Sequence, residues 1–237
     1  MIKKLPTVIL GNGFELHCQR LLQQQMRMSV VRIGGKGDGG IDLRGWWSIP
    51  DARHILADDK PAVLRRIRVL AQCKAEKKPP GPRLIREMEG VARREYDLLK
   101  EESHSHRLTE SGDTASPGPS IVSEPVVALL CSSSGFSPAA VVEANRSRTP
   151  MLLLHIPFDY QEILLSTPDP MTSAVDHELL ERMPTTVQGA FWNAALMGSR
   201  GLLGDGWELR KEFSQNRCIC MANPYDIPYD DLFFSVR

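Results

Sequence analysis

The feature that most constrains this chain is the run Gly34-Gly35-Lys36-Gly37-Asp38-Gly39-Gly40, which passes straight into Ile41-Asp42-Leu43. Glycine at that density favours a turn over the interior of a helix or strand. One carboxylate, Asp42, then stands between two apolar residues as a strand begins. Further along, Gln72-Cys73-Lys74 carries an amide and an ammonium two residues apart. Side chains alternate faces along a strand, so Asp42 opposes Ile41 and Leu43, while Gln72 and Lys74 share the face opposite Cys73. If these two strands pair, an Asp, an amide oxygen and a Lys converge, which describes a divalent-metal site with a lysine beside it.

The rest of the chain supplies a framework for that site. Gly13 to Met28 reads as a helix, with Phe14, Cys18, Leu21, Leu22 and Met26 at helical spacing and Glu15 in the first turn. Ser29 to Ile33 is a β-branched run entering the glycine turn, and Leu43 to Ile49 continues the sheet beyond it. Pro50 to Pro61 is a polar loop bounded by prolines, and Ala62 to Ala75 returns as the strand of Gln72 and Lys74. After Pro79-Pro80-Gly81-Pro82, an amphipathic helix runs to about Glu102, with Arg83, Arg86, Arg93 and Arg94 on its polar face. Ser103 to Pro119 lacks periodicity and reads as a mobile linker.

Val126 to Cys131 is a continuous apolar run suited to a central strand. Ser137 as N-cap and Pro138 at the first helical position open a helix to about Arg146, and Met151 to Ile156 is a second buried strand. The order helix, three strands, helix, strand, helix, strand makes an α/β layered core around a central mixed sheet. Beyond it, helices are expected over Asp176 to Met183 and Val187 to Met197. A short strand pair is expected near Trp207 to Leu209 and Cys218 to Cys220.

Charge is balanced at 29 basic and 29 acidic residues, but unevenly distributed. Lys60 to Arg94 holds eleven basic and three acidic residues, whereas His155 to the C-terminus holds six and twelve. A basic belt beside the site favours a polyanion, with Lys77, Lys78, Arg83 and Arg86 as the expected nucleic-acid contacts; a solvated helix face is the plainer explanation. Five cysteines without a paired framework suit free thiols in a reducing compartment. No apolar run approaches the roughly 18 residues of a membrane span. The start, Met1-Ile2-Lys3-Lys4, has the character of neither a secretory signal nor an Arg-rich transit peptide.

Four ordered pieces, Gly13-Phe14-Glu15, Gly34 to Leu43, Gln72-Cys73-Lys74 and Ser134-Gly135-Phe136, resemble the PD-(D/E)xK nuclease superfamily in its Mrr-type restriction endonuclease branch. The resemblance covers about residues 11 to 157. Arg44-Gly45-Trp46-Trp47, Gln72 to Glu76, Ile85 to Gly90 and Phe191-Trp192-Asn193 are similar, more narrowly, to fungal mitochondrial "required for respiratory growth" proteins of this type. The resemblance implies a restriction endonuclease-like core over residues 11–157, with a flexible insert at about 103–120. A family-specific C-terminal extension over 158–237 would pack on that core.

The implied activity is Mg²⁺- or Mn²⁺-dependent endonucleolytic hydrolysis of nucleic acid, DNA before RNA, in mitochondrial genome maintenance or respiratory growth. The implied catalytic set is Glu15, Asp42, Gln72 and Lys74. Asp42 is the central metal ligand, joined by Glu15, Gln72 and the backbone carbonyl of Cys73, and Lys74 orients water or stabilises the transition state. Most of the superfamily has a carboxylate where this chain has Gln72; Mrr-type enzymes also use Gln there, and the substitution makes Glu15 more necessary. A homodimer would supply two sites for the two strands of a duplex. The alternative is a catalytically weak or inactive nucleic-acid-binding factor on the same scaffold.

Plainer explanations hold for other residues. The glycine run lacks the Gly-Lys-[Ser/Thr] of a phosphate-binding loop, and Ser132 to Ser134 lack a nucleophile elbow, so a turn and a helix cap account for the serines. Cys218 and Cys220 have no partner ligands in sequence. Of Trp46 and Trp47, alternation sends one to the core and leaves the other for stacking on bases.

Overall fold

The computed structural model describes residues 7–33, 39–50, 64–109, 125–159, 183, 185–204, 208–210 and 220–222. In chain order these form α1 (Thr7–Gln25), β1 (Met28–Arg32), β2 (Leu43–Pro50), β3 (Leu64–Lys74) and α2 (Pro82–Thr109). There follow β4 (Val126–Ser132), α3 (Pro138–Arg146), β5 (Met151–His155), β6 (Gly189–Trp192), β7 (Glu208–Arg210) and β8 (Cys220–Ala222). Six strands make one mixed sheet in the order β1-β2-β3-β4-β5-β6, and β7 pairs with β8 separately. The first three strands are an antiparallel meander, β3, β4 and β5 run parallel, and β6 returns antiparallel.

The two parallel steps cross over through α2 and α3, and both helices cover the same face of the sheet. Leu84, Ile85, Met88 and Ala92 of α2 meet Ala140 and Ala144 of α3 over Leu70, Ala128, Leu130 and Leu153. The other face takes α1, whose Phe14, Cys18, Leu21 and Leu22 cover Val69, Ala71, Leu129 and Leu154. β4 lies between the two layers and is buried at all seven positions. Burying a large aliphatic side chain is worth about 1.5–3 kcal/mol, so a strand apolar on both faces has no competitive solvent-exposed placement. A continuous apolar run therefore becomes the central strand.

Local signals set the element ends. Ser137 caps α3, its Oγ accepting the Ala140 N–H at 3.2 Å, with Pro138 at the first position. Past the end of α1, Arg27 takes a left-handed φ of 54°, the conformation that commonly closes a helix.

The structure corrects three expectations. α1 begins at Thr7, so Glu15 lies within the helix rather than in its first turn. α2 continues to Thr109, past Glu102, so the first part of the expected linker is helical; residues 110–124 lie outside the described ones. Val187 to Met197 is not a helix: it holds β6 and a following turn. The reason is a period of two. Ala190 and Trp192 pack with the α1 layer while Phe191 packs with the α2–α3 layer, and the open edge of β5 pairs residue for residue with Gly189 to Trp192. The helix expected over Asp176 to Met183 and the polar loop from Pro50 to Pro61 lie almost wholly outside the described residues. The strand pair near the C-terminus is present, its second strand beginning at Cys220.

Candidate functional site

The glycine turn delivers Asp42 against β3. Its N–H donates to the Ala71 carbonyl at 2.9 Å, and its carbonyl accepts the Ile33 N–H at 2.9 Å. Its carboxylate Oδ2 accepts the backbone N–H of Cys73 at 2.6 Å, a short bond of the kind a charged acceptor makes. The expected meeting of the two motifs therefore occurs, and it is held by backbone as much as by side chain.

Gln72 points to the α2 face beneath the turn. It is 7% exposed, and its Oε1 is buried with no hydrogen-bond partner among the described residues. An orphaned buried acceptor costs about 1–3 kcal/mol, which marks a position where a donor or a cation would be gained. Gly40, at φ +84°, lies over this amide: a Cβ there would stand 3.3 Å from Gln72 Nε2. Only glycine meets both demands, the left-handed backbone and the close approach. Asp38 lies outside the described residues.

Gly39, Gly40, Gln72, Glu87, Met88 and Val91 line a cleft of about 370 Å³ between the turn and α2. A second hollow of about 240 Å³ shares Gly39 and Val91 and adds Ile41, Arg44, Arg94, Glu95 and Leu98. Together they form a groove along one side of α2. Glu87 and Arg94 were not among the expected site residues. Their signal was available: Glu87, Val91, Arg94 and Leu98 recur at three- and four-residue spacing on one helical stripe.

Lys74 ends β3 on the same face as Gln72 and is half-buried. Its register partner across β4 is Ser132, whose own partner across β5 is His155, so the three residues form a row at the carboxyl ends of the parallel strands. The serines after β4 form a turn, as expected. The Ser133 N–H donates to the Lys74 carbonyl at 3.1 Å, and the Ser134 N–H donates to Ser132 Oγ at 3.3 Å. Gly135 follows at φ +73°, and a Cβ there would lie 3.4 Å from the His155 ring.

Glu15 is committed elsewhere. Its carboxylate is ion-paired with Arg32 at the end of β1, and Arg32 also donates to Asn12 Oδ1 at 2.5 Å. Arg32 precedes Ile33, which bonds Asp42, so Glu15 neighbours the site through Arg32.

The four expected basic contacts after β3 are exposed, with two of them paired to acids. Arg83 reaches Glu87 at 2.7 Å and Arg86 reaches Glu143 at 3.1 Å, while Lys77 and Lys78 are in the exposed turn before α2. Trp47 is fully buried, and Trp46 takes the opposite face. There the Arg66 and Arg68 guanidiniums stand over its ring at 4.2 and 4.0 Å. Glu95, 8% exposed, accepts Arg44 at 3.3 Å and lies 3.2 Å from Arg68. The tryptophan left for stacking is thus already held by arginines.

On the α1 face, beneath the same strand, Cys73 meets Cys18 and Cys131. Hydrogen bonds from Cys18 and then Cys73 pull the Cys131 thiol down to about 5, and burial pushes the Cys18 thiol up. Nearby on α1, burial and then the Arg20 charge lower the His17 imidazole from 6.5 to about 4.

Comparison with known proteins gives a likeness to one family over part of the chain and to a mitochondrial protein. Residues 6–106 match the family described as Required for respiratory growth protein 7. That stretch contains Glu15, Asp42, Gln72, Cys73 and Lys74, and also the four expected basic contacts. Over 84 residues the chain is 39% identical to an uncharacterised mitochondrial protein of Schizosaccharomyces pombe, covering 35% of this chain and 30% of that relative. The shared stretch is therefore under a third of the relative's length. The mitochondrial location expected from the sequence agrees with both findings. No solved structure matches the chain. Among the described residues, no helix is long and apolar enough to cross a membrane.

Proposed function

We propose that the groove beside the glycine turn hydrolyses phosphodiester bonds of nucleic acid, DNA before RNA, with a divalent cation and in support of mitochondrial respiratory growth. The observation that carries this reading is the buried Oε1 of Gln72, unpartnered among the described residues, on the strand whose Cys73 N–H is fixed to the Asp42 carboxylate. An anionic and a neutral oxygen, both hard, are a donor set suited to Mg²⁺ or Mn²⁺. Asp42 and Gln72 would hold such an ion, with the Cys73 carbonyl as a further oxygen. When bound, it supplies Lewis-acid polarisation and an acidified water.

The chain's own groups do the remaining work. Lys74, on the Gln72 face, brings a positive charge for a developing phosphorane or for orienting water. The turn, with glycine at positions 39 and 40, lets a phosphate backbone approach closely. Arg94 lines the groove, Lys77, Lys78, Arg83 and Arg86 would extend a basic approach to it, and each phosphate neutralised there would add salt dependence.

The pairing of Glu15 with Arg32 favours a second reading, in which the scaffold binds nucleic acid with little chemistry. Without Glu15 the ligand set has a single carboxylate, and Mg²⁺ affinity would be weak.

Incubation with plasmid and single-stranded DNA in Mg²⁺ and in Mn²⁺, beside Asp42→Ala, Lys74→Ala and Gln72→Glu, separates the two readings. The enzyme reading expects cleavage by the wild type, lost in the first two variants. It also expects metal affinity to rise about tenfold in Gln72→Glu, a gain of about 1.4 kcal/mol. Salt-sensitive binding without cleavage, unchanged in all three variants, supports the second reading. Neither cleavage nor binding overturns both.

A further inference from the structure

Cys73 separates two kinds of chemistry. Its backbone N–H faces the hard oxygen of Asp42, and its sulfur faces inward to Cys18 and Cys131. The three sulfurs lie within 4.8 Å of one another and all are unoxidised. They come from three separate elements: α1, β3, and β4, where Cys131 is the register partner of Cys73. No further His, Cys, Asp or Glu joins them among the described residues.

We propose that Cys18, Cys73 and Cys131 form a three-sulfur site for one thiophilic d¹⁰ metal ion, Cu(I) or Zn(II), buried behind the sheet. The geometry argues for a metal over a chance thiol cluster. Metal–sulfur bonds of about 2.3 Å in a trigonal arrangement put sulfurs about 4 Å apart, within the spacing seen here. Soft thiolate donors select these ions over Mg²⁺ or Mn²⁺, so the site would not compete for the ion proposed at Asp42. The two ions favour the site on different grounds. Zn(II) leaves the smaller buried charge, −1 against −2 with three thiolates, whereas Cu(I) accepts three ligands without a fourth. Each thiol that becomes a thiolate ligand releases one proton to solvent. The inference does not depend on the nuclease reading.

The chain has five cysteines, so the double variant Cys218→Ser/Cys220→Ser retains only the cluster. Cd(II) added to this folded variant, observed by ¹¹³Cd NMR and native mass spectrometry, reports how many sulfurs bind. One ion per chain with a three-sulfur chemical shift is expected. Titration under anaerobic conditions from a Cu(I) chelator and, separately, from a Zn(II) chelator then identifies the preferred ion. Uptake should fall at least 100-fold when Cys131→Ser is added, with the fold checked by circular dichroism. If that triple variant does not fold, the sulfur count in the double variant decides. No bound Cd(II), or Cd(II) bound through fewer than three sulfurs, would overturn the proposal.

Discussion

The backbone N–H of Cys73 donates to Oδ2 of Asp42 over 2.6 Å, joining the end of the glycine turn to β3 beside the backbone bond from Asp42 to Ala71. A charged acceptor makes this one of the stronger hydrogen bonds in the fold, and removing it leaves a strand donor unpaired. Asp42→Ala should cost about 2 kcal/mol in urea unfolding. Asp42→Asn retains an acceptor oxygen and should cost less than half as much, yet it should still weaken Mn²⁺ binding. Equal stability of wild type and both variants would mean that the carboxylate does not anchor the turn.

Gly45 lies in the middle of β2, where glycine is normally a liability. Here it is required. A Cβ would stand 2.0 Å from the Ser29 carbonyl oxygen and 2.6 Å from Val30 Cα, both backbone atoms of β1. Gly45→Ala should therefore separate β1 from β2, costing on the order of 3 kcal/mol or preventing folding. Thermal unfolding is the check, and a Tm within a degree of wild type would contradict the close approach.

His17 gives a pH dependence whose sign follows from its burial. In the unfolded chain it titrates near 6.5, in the folded chain near 4. Above pH 6.5 both states hold neutral imidazole, and the full contribution to stability is present. As pH falls from 6.5 to 4, the unfolded state takes up the proton first and that contribution is lost, about 3 kcal/mol in all. His17→Leu should remove this dependence. Unfolding free energies measured from pH 7 to pH 4 should fall less steeply in the variant than in the wild type, and parallel curves would place His17 in a solvated setting.

What the sequence made legible follows the range of each interaction. The first three strands, α3 and its Ser137 cap depend on neighbours in the chain, and they appear where alternation and capping put them. The meeting of Asp42 with β3 was also legible, because Asp42 stands between apolar neighbours at the entry to one strand while Gln72 and Lys74 share one face of another. The partner of Glu15 was not, since Arg32 looks like any strand-end charge until β1 is laid against α1. β6 was misjudged because Val187, Ala190, Phe191 and Ala194 stand at helical spacing while the four-residue strand is too short for its alternation to stand out, and the free edge of β5 decides between them. Cys18, Cys73 and Cys131 stand far apart in sequence, with no ligand spacing to connect them.

Asn193 is buried at the end of β6. Its Oδ1 accepts the N–H groups of Met151 and Leu196, and its Nδ2 donates to the carbonyls of Ala144, Ser147 and Thr149. One amide thus closes the end of α3, the entry to β5 and the turn after β6. The motifs of the candidate site all end by Phe136, yet a fragment cut soon after them would leave these buried donors and acceptors without the amide that joins them. The smallest piece of this chain able to hold the groove in shape therefore extends through β6, well beyond the residues that line it.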